Sequence, residues 1–177
     1  DRCKTIHAPS LLDLSMLRSI TVRRSPIHGN GVFAARKLPA GHRVIQYRGK
    51  VVSHDEADAL YDGSVESGHT FLFTLNESYI VDANRRGNDA RWINHSCDPN
   101  CQAVIEEHPS ADPAKDRIFI ETLRPVARGE ELTYDYGIKL EIRHTARLKA
   151  LWACRCGKPT CTGTMLKAKR RARSVRD

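Results

Sequence analysis

Asn94-His95-Ser96-Cys97-Asp98-Pro99-Asn100 is the stretch on which the reading of this chain turns. It sets an amide, an imidazole, a hydroxyl and a thiol side by side and then turns at a proline. Alone, an Asn-His pair does no more than cap a turn. It is preceded by Arg91-Trp92-Ile93 and offers hydrogen-bond donors and acceptors in one tight segment. Two later stretches belong with it: Glu130-Glu131-Leu132-Thr133-Tyr134-Asp135-Tyr136-Gly137, and Cys154-Arg155-Cys156 followed by Cys161.

The last of these narrows the cysteine chemistry. Of six cysteines, three fall within eight residues, and Cys-x-Cys places its two sulfurs poorly for bridging each other. The N-terminus, Asp1-Arg2-Cys3-Lys4, shows no apolar leader. Metal ligation in a reducing compartment is therefore favoured over a disulfide framework. Cys154, Cys156 and Cys161 offer three thiolates. Structural zinc takes four ligands, and Cys97, Cys101 and Cys3 are the candidates for the fourth.

A chain of 177 residues reads as one domain with tails, long enough to bury its own core. Apolar runs such as Ile118-Phe119-Ile120 are far too short to span a bilayer, so no membrane partner is expected. Of the net charge of +8, residues 167–177 carry +5, leaving +3 for the remainder. Nucleic-acid contact through counterion release is thus confined to a weak contribution from this basic tail, which reads first as a solvated end. Arginine outnumbers lysine 20 to 9, a composition that hints at a GC-rich, bacterial genome.

Local pattern indicates many short strands with frequent turns, a mainly β domain. Strands are expected at Ser19 to Arg23, Val32 to Ala34, Val44 to Tyr47, Phe71 to Leu75, Tyr79 to Asp82 and Arg117 to Thr122. Ser53-His54-Asp55-Glu56 is a capping box, with the Ser53 hydroxyl accepting from the Glu56 N–H and the Glu56 carboxylate reaching back. That helix continues through Ala57 to Tyr61 and ends at Asp62-Gly63. Leu140 to Trp152 is expected to be helical, and Leu11, Leu12, Leu14 and Leu17 suggest a short N-terminal helix.

In this order and at these separations, the three stretches resemble the SET-domain protein lysine methyltransferases, the third resembling that family's zinc-binding post-SET segment. The likeness extends over roughly 19–166. Its details, Phe71-Leu72-Phe73, Val81-Asp82-Ala83, Gly87-Asn88 and the Asn94 to Cys101 run, look like the trithorax and enhancer-of-zeste branches. The resemblance implies a β-clip fold with a pseudoknot and short helices. It divides the chain into an N-terminal extension (1–18), the SET domain (19–140), the post-SET zinc segment (141–166) and the basic tail (167–177).

It also implies roles. S-adenosylmethionine would be held by Gly29, Asn30 and Gly31, by Asn94 and His95, and by Tyr47 and Leu166. Gly-x-Gly is weak evidence alone, and no third glycine opens a helix as a dinucleotide site would require. Tyr136 sits where the family has its catalytic tyrosine. Tyr134 occupies the position that limits product methylation, and Tyr47 lines the channel with them. Phe71 stands where many members carry tyrosine, which loosens that limit; mono- or dimethylation is the expectation. The fourth zinc ligand is Cys97 on this likeness, so one structural zinc would clamp the tail over the donor pocket.

The chemistry suits an aromatic channel. A lysine ammonium has no lone pair, and holding the neutral amine at pH 7 costs roughly 4 to 5 kcal/mol against a pKa of about 10.4. Desolvation and a nearby sulfonium both lower that cost. A histone tail, with H3 favoured, is the implied substrate, at chromatin in a nucleus if the source is eukaryotic. A bacterial source would make it cytoplasmic or secreted into a host, with a lysine-rich nucleoid protein or another non-histone protein as the alternative target. A zinc-stabilised chromatin-binding module without catalysis is the opposing class; it predicts a broken donor motif, whereas Asn94, His95 and Tyr136 are all present.

Overall fold

The computed structural model describes residues 19–61, 71–140 and 142–168. The suggested N-terminal helix, the Asp62-Gly63 stop, Cys3 and all but the first two residues of the basic tail lie outside them. Among the described residues the chain is mainly β, with ten strands and two short helices.

A four-stranded sheet runs β1 (Ile20–Arg24), β2 (Asn30–Ala34), β10 (Glu131–Tyr134), β7 (Asn94–His95). The second sheet orders β3 (Arg43–Tyr47), β9 (Arg117–Thr122), β8 (Cys101–Glu106). The third orders β4 (Lys50–Ser53), β6 (Tyr79–Asp82), β5 (Leu72–Thr74). Between them lies one core holding Val32, Leu38, Ile93, Ile118, Ile120 and Leu132, all but sealed from water. Among the described residues no helix is long and apolar enough to cross a membrane.

All six expected strands are present, with ends shifted by no more than two residues. Ser53 caps the helix His54–Leu60 as its motif requires, accepting from the Glu56 N–H at 3.1 Å. The reciprocal half of the box differs, because the Glu56 carboxylate takes the Lys50 ammonium at 2.7 Å. The helix expected over Leu140 to Trp152 is restricted to Ala146–Leu151. Thr145 starts it by accepting from the Leu148 N–H at 3.1 Å, while Ile138 upstream is committed to a parallel bridge with Leu166.

Four strands went unread. β7 is two residues long, β4 directly follows Gly49, and β8 and β10 emerge from segments whose residues read more loudly as chemistry. The last of these matters most, since β10 carries the site.

Candidate active site

β10 is short, yet both its edges are used. Along one, Glu131 and Leu132 pair antiparallel with Phe33 and Val32 of β2; along the other, Thr133 and Tyr134 pair in parallel with Asn94 and His95 of β7. The Gly-Asn-Gly turn that leads into β2 and the Asn-His pair are thereby held on either side of one strand. Asn94 closes the gap with its side chain: Nδ2 lies 3.0 Å from Asn30 O, 3.2 Å from His28 O and 2.8 Å from Glu131 Oε1. Gly29 has φ +51°, and a Cβ there would meet nothing within 4 Å, so the turn faces open space.

Asn100, the last residue of the opening stretch, serves β10 itself. Its Oδ1 accepts from the Thr133 N–H at 2.9 Å, and its Nδ2 donates to Glu131 O at 2.8 Å and Glu130 Oε1 at 3.0 Å. A buried amide thus replaces a missing strand partner. The Glu130 carboxyl is pushed up by burial, but Arg124, Asn100 and the Ala127 N–H outweigh this and hold it at about 2.

The aromatic residues converge beside this strand. The Tyr134 and Tyr136 rings lie 4.9 Å apart, and Phe73 spans from Tyr134 (5.9 Å, stacked) to Tyr47 (5.2 Å). Phe71 packs edge-on against Trp92 at 5.2 Å, and the Arg91 guanidinium covers the Trp92 ring at 4.5 Å. Two hydroxyls are committed to backbone: Tyr136 donates to Ile93 O at 2.8 Å, and Tyr47 to Phe71 O at 3.2 Å. The Tyr134 hydroxyl bonds no described protein group. Burial drives the pKa of all three tyrosines upward, with like charge from Glu131 adding to it at Tyr136. Each is a neutral phenol near pH 7.

His95 connects this aromatic cluster to the cysteines. Its Nδ1 accepts from the Tyr136 N–H at 3.1 Å, which places the ring proton on Nε2, 3.6 Å from Cys97 Sγ. Burial lowers its pKa against the pull of Asp135, so the imidazole is neutral.

Cys97, Cys154, Cys156 and Cys161 bring their sulfurs within 4.8 Å of one another. Cys97 Sγ is 3.7 Å from Cys154 Sγ and 3.9 Å from Cys161 Sγ. Four thiolates about 2.3 Å from a zinc would be spaced about 3.8 Å apart, so the donor set fits tetrahedral zinc. Burial raises the Cys156 thiol, but N–H groups of Cys97 and Lys158 and the neighbouring thiols bring it down to about 6. Cys101, one of the other candidates for fourth ligand, is buried in the core instead.

Beyond the cysteines the chain folds back. Ala153 bridges Thr164, Leu166 pairs in parallel with Ile138, and the Lys167 ammonium reaches the Asp135 carboxylate. A pocket of about 140 Å³ remains between this segment and β7, lined among others by His95, Asp135, Met165, Leu166 and Lys167.

The residues named from sequence therefore come together: the Gly29 to Gly31 turn with Asn94, His95 with Leu166, Tyr47 near Tyr134 and Tyr136, and the four cysteines. The Phe71 ring packs on Trp92, and the Phe73 ring lies between Tyr47 and Tyr134. Sequence reasoning missed Phe73, Asn100 and Glu131. Strand alternation could have found Phe73, because Phe71 and Phe73 are two apart and share a face.

A sheet arrangement joining a Gly-x-Gly turn, an Asn-His pair and a cluster of tyrosines defines a class of small β domain that the SET-domain pattern describes, and it matches residues 29–137. The chain belongs to the SET-domain family. It is 36% identical over 159 residues to a "Histone-lysine N-methyltransferase, H3 lysine-4 specific" of Kluyveromyces lactis, covering 86% of this chain and 15% of that protein. It is 40% identical over 147 residues to the human "Histone-lysine N-methyltransferase 2B", covering 81% of this chain and 5% of that protein. A "Putative histone-lysine N-methyltransferase 1" of Plasmodium falciparum is 36% identical over 158 residues, covering 88% and 2%. The chain spans only a small part of the length of these relatives.

Proposed function

We propose that this domain methylates the ε-amine of a lysine in a histone tail, using S-adenosylmethionine and stopping at the mono- or dimethyl state. Histone H3 is the favoured substrate, which the names of the fungal relatives support, and chromatin in the nucleus is the corresponding place of action. Residues 19–140 form the catalytic SET domain and 141–166 the post-SET segment. The observation that carries the reading is the cluster of Tyr47, Phe73, Tyr134 and Tyr136 standing next to the Asn94–His95 pair.

S-adenosylmethionine, when bound, supplies a methyl group on a positively charged sulfur. Gly29, Asn30, Gly31 and Asn94 would hold its amino-acid end, and His95 and Leu166 its adenine side. Tyr47 closes the donor site toward the chamber. The open space at Gly29 and the pocket beside Leu166 fit such a ligand.

The aromatic walls exclude water and accept the alkyl stem of the substrate. With its proton given to Ile93 O, the Tyr136 oxygen turns lone pairs toward the chamber and orients the amine by accepting from it. It is no general base, since burial keeps it protonated; the ammonium loses its proton to solvent before transfer. Alignment of amine and methyl then supplies much of the rate. The free hydroxyl of Tyr134 obstructs an amine that already carries methyl groups. A zinc ion on the four thiolates would tie the 154–161 segment to Cys97 and thus hold Leu166 over the donor.

Labelled S-adenosylmethionine incubated with histone H3, histone H4 and a bacterial histone-like protein tests this. Label is expected on H3. Absence of label on every protein, with donor and zinc both demonstrably bound, rejects the enzyme reading.

A further inference from the structure

Glu131 lies at the centre of the contacts that build the donor side, although no role has been given to it. Its Oε1 accepts from the Ser25 hydroxyl at 2.7 Å and from Asn94 Nδ2 at 2.8 Å. The same oxygen explains Gly31: a Cβ at that position would overlap Glu131 Oε1 and stand 2.9 Å from Ser25 Cβ. Three chain segments, before β2, on β7 and on β10, are therefore registered against one carboxylate.

Among the described residues no lysine, arginine or histidine forms an ion pair with Glu131. Arg23, on neighbouring β1, is turned away to Gly129 O at 3.0 Å and over the Phe33 ring. The second oxygen, Oε2, bonds no described group. Glu131 is half-buried, and its field reaches Tyr136, where it adds to the upward push of burial. A partly desolvated carboxylate beside an open turn, held by neutral donors only, favours a cation in that space.

We propose that Glu131 is a positioning residue for the methyl donor, whose negative charge selects the sulfonium form over the uncharged thioether left after transfer. This rests on the donor-binding reading above. Charge selection would have two effects: it draws the reactive donor into the site and weakens retention of the spent one.

The test is calorimetric binding of S-adenosylmethionine and of S-adenosylhomocysteine, which differ by one methyl and one positive charge. E131Q keeps an acceptor oxygen for Ser25 and Asn94 and places its amide nitrogen where Oε2 has no partner, so only the charge is lost. Affinity for S-adenosylmethionine should fall about tenfold, a modest value for a charge pair several ångströms apart at an effective dielectric near 20. Affinity for S-adenosylhomocysteine should fall less, since it keeps the α-ammonium of the shared amino-acid end and lacks the sulfonium. E131D retains the charge and withdraws the oxygen; it should weaken both ligands alike and leave their ratio unchanged. A ratio that E131Q leaves at the wild-type value overturns the proposal. So does a ratio that changes equally in E131D, which covers an E131Q protein that does not fold. Wild-type protein that binds neither nucleotide overturns the donor reading itself, a result distinct from either.

Discussion

The main-chain N–H of Tyr136 donates to Nδ1 of His95 at 3.1 Å, and the opposite ring nitrogen of His95 lies 3.6 Å from Cys97 Sγ. The proposed catalytic tyrosine is thus two contacts away from the cysteine cluster. Removal of a zinc held on the four thiolates would act through this path and through the loss of the proposed clamp on Leu166. The core lies elsewhere, under three sheets that contain no cysteine of the cluster. A chelator strong enough to strip zinc should therefore abolish methyl transfer while the far-ultraviolet circular dichroism of the β domain persists. Loss of both together at the same chelator concentration would show that the metal holds the fold.

Tyr136→Phe removes a hydroxyl bonded to Ile93 O and nothing else. Misplacing the amine by even a fraction of its approach distance is costly, so turnover should fall about 10²-fold. Donor affinity, measured by calorimetry, should stay within about twofold, because the ring remains. The rate of the unaltered protein should still rise between pH 7 and 9, following the substrate amine rather than the tyrosine. If the variant keeps full turnover, the role given to Tyr136 is wrong.

How much of this was legible beforehand differs from residue to residue. The Asn94–His95 pair and the four sulfurs announce themselves because ligand chemistry needs particular atoms at particular spacings. Val32 to Ala34 and Arg117 to Thr122 announce themselves by strand composition. Asn100 gives no such signal: its amide substitutes for a strand edge, and only the folded chain shows an edge that needs filling. Glu131 is likewise silent, since its partners Ser25, Gly31 and Asn94 are 106, 100 and 37 positions away. The helix expected from Leu140 was overextended because helical composition cannot reveal that Ile138 is already taken by Leu166.

Tyr134→Phe deletes a hydroxyl that bonds no described protein group, so it should leave stability within about 1 kcal/mol. With that oxygen gone, a methylated amine can turn in the chamber and accept another methyl. Mass spectrometry of an H3 peptide should show the product distribution moving toward trimethyllysine. Phe71→Tyr is expected to move it the other way. An unchanged distribution in the first variant would dissociate Tyr134 from product control.

Asn100→Ala strips Thr133 N–H and Glu131 O of a buried partner at once, a loss of about 3 kcal/mol. Glu130 adds a pH dependence. Its carboxyl is depressed from 4.5 to about 2 in the folded chain, so it contributes stability above the higher value and loses it as pH falls through the lower. Chemical denaturation between pH 5 and 2 should show a shallower decline in Glu130→Gln than in the unaltered protein. Parallel declines would mean that Arg124 and Asn100 do not hold the carboxylate in solution.

The fold-back over the proposed donor pocket offers two handles, and their physics ranks them. Lys167 and Asp135 form an ion pair whose side chains are 48% and 35% exposed. A pair so wet is screened and contributes at most about 1 kcal/mol. Leu166 is buried at 6% exposure and lines the pocket directly. Leu166→Ala should thus raise the Kd for S-adenosylmethionine by tenfold or more, from about 2 kcal/mol of lost burial. Lys167→Ala should raise it less than about fivefold, with the difference vanishing in high salt. Calorimetry at low and high ionic strength separates the two, and a larger, salt-sensitive effect at Lys167 would show that charge rather than packing closes the site.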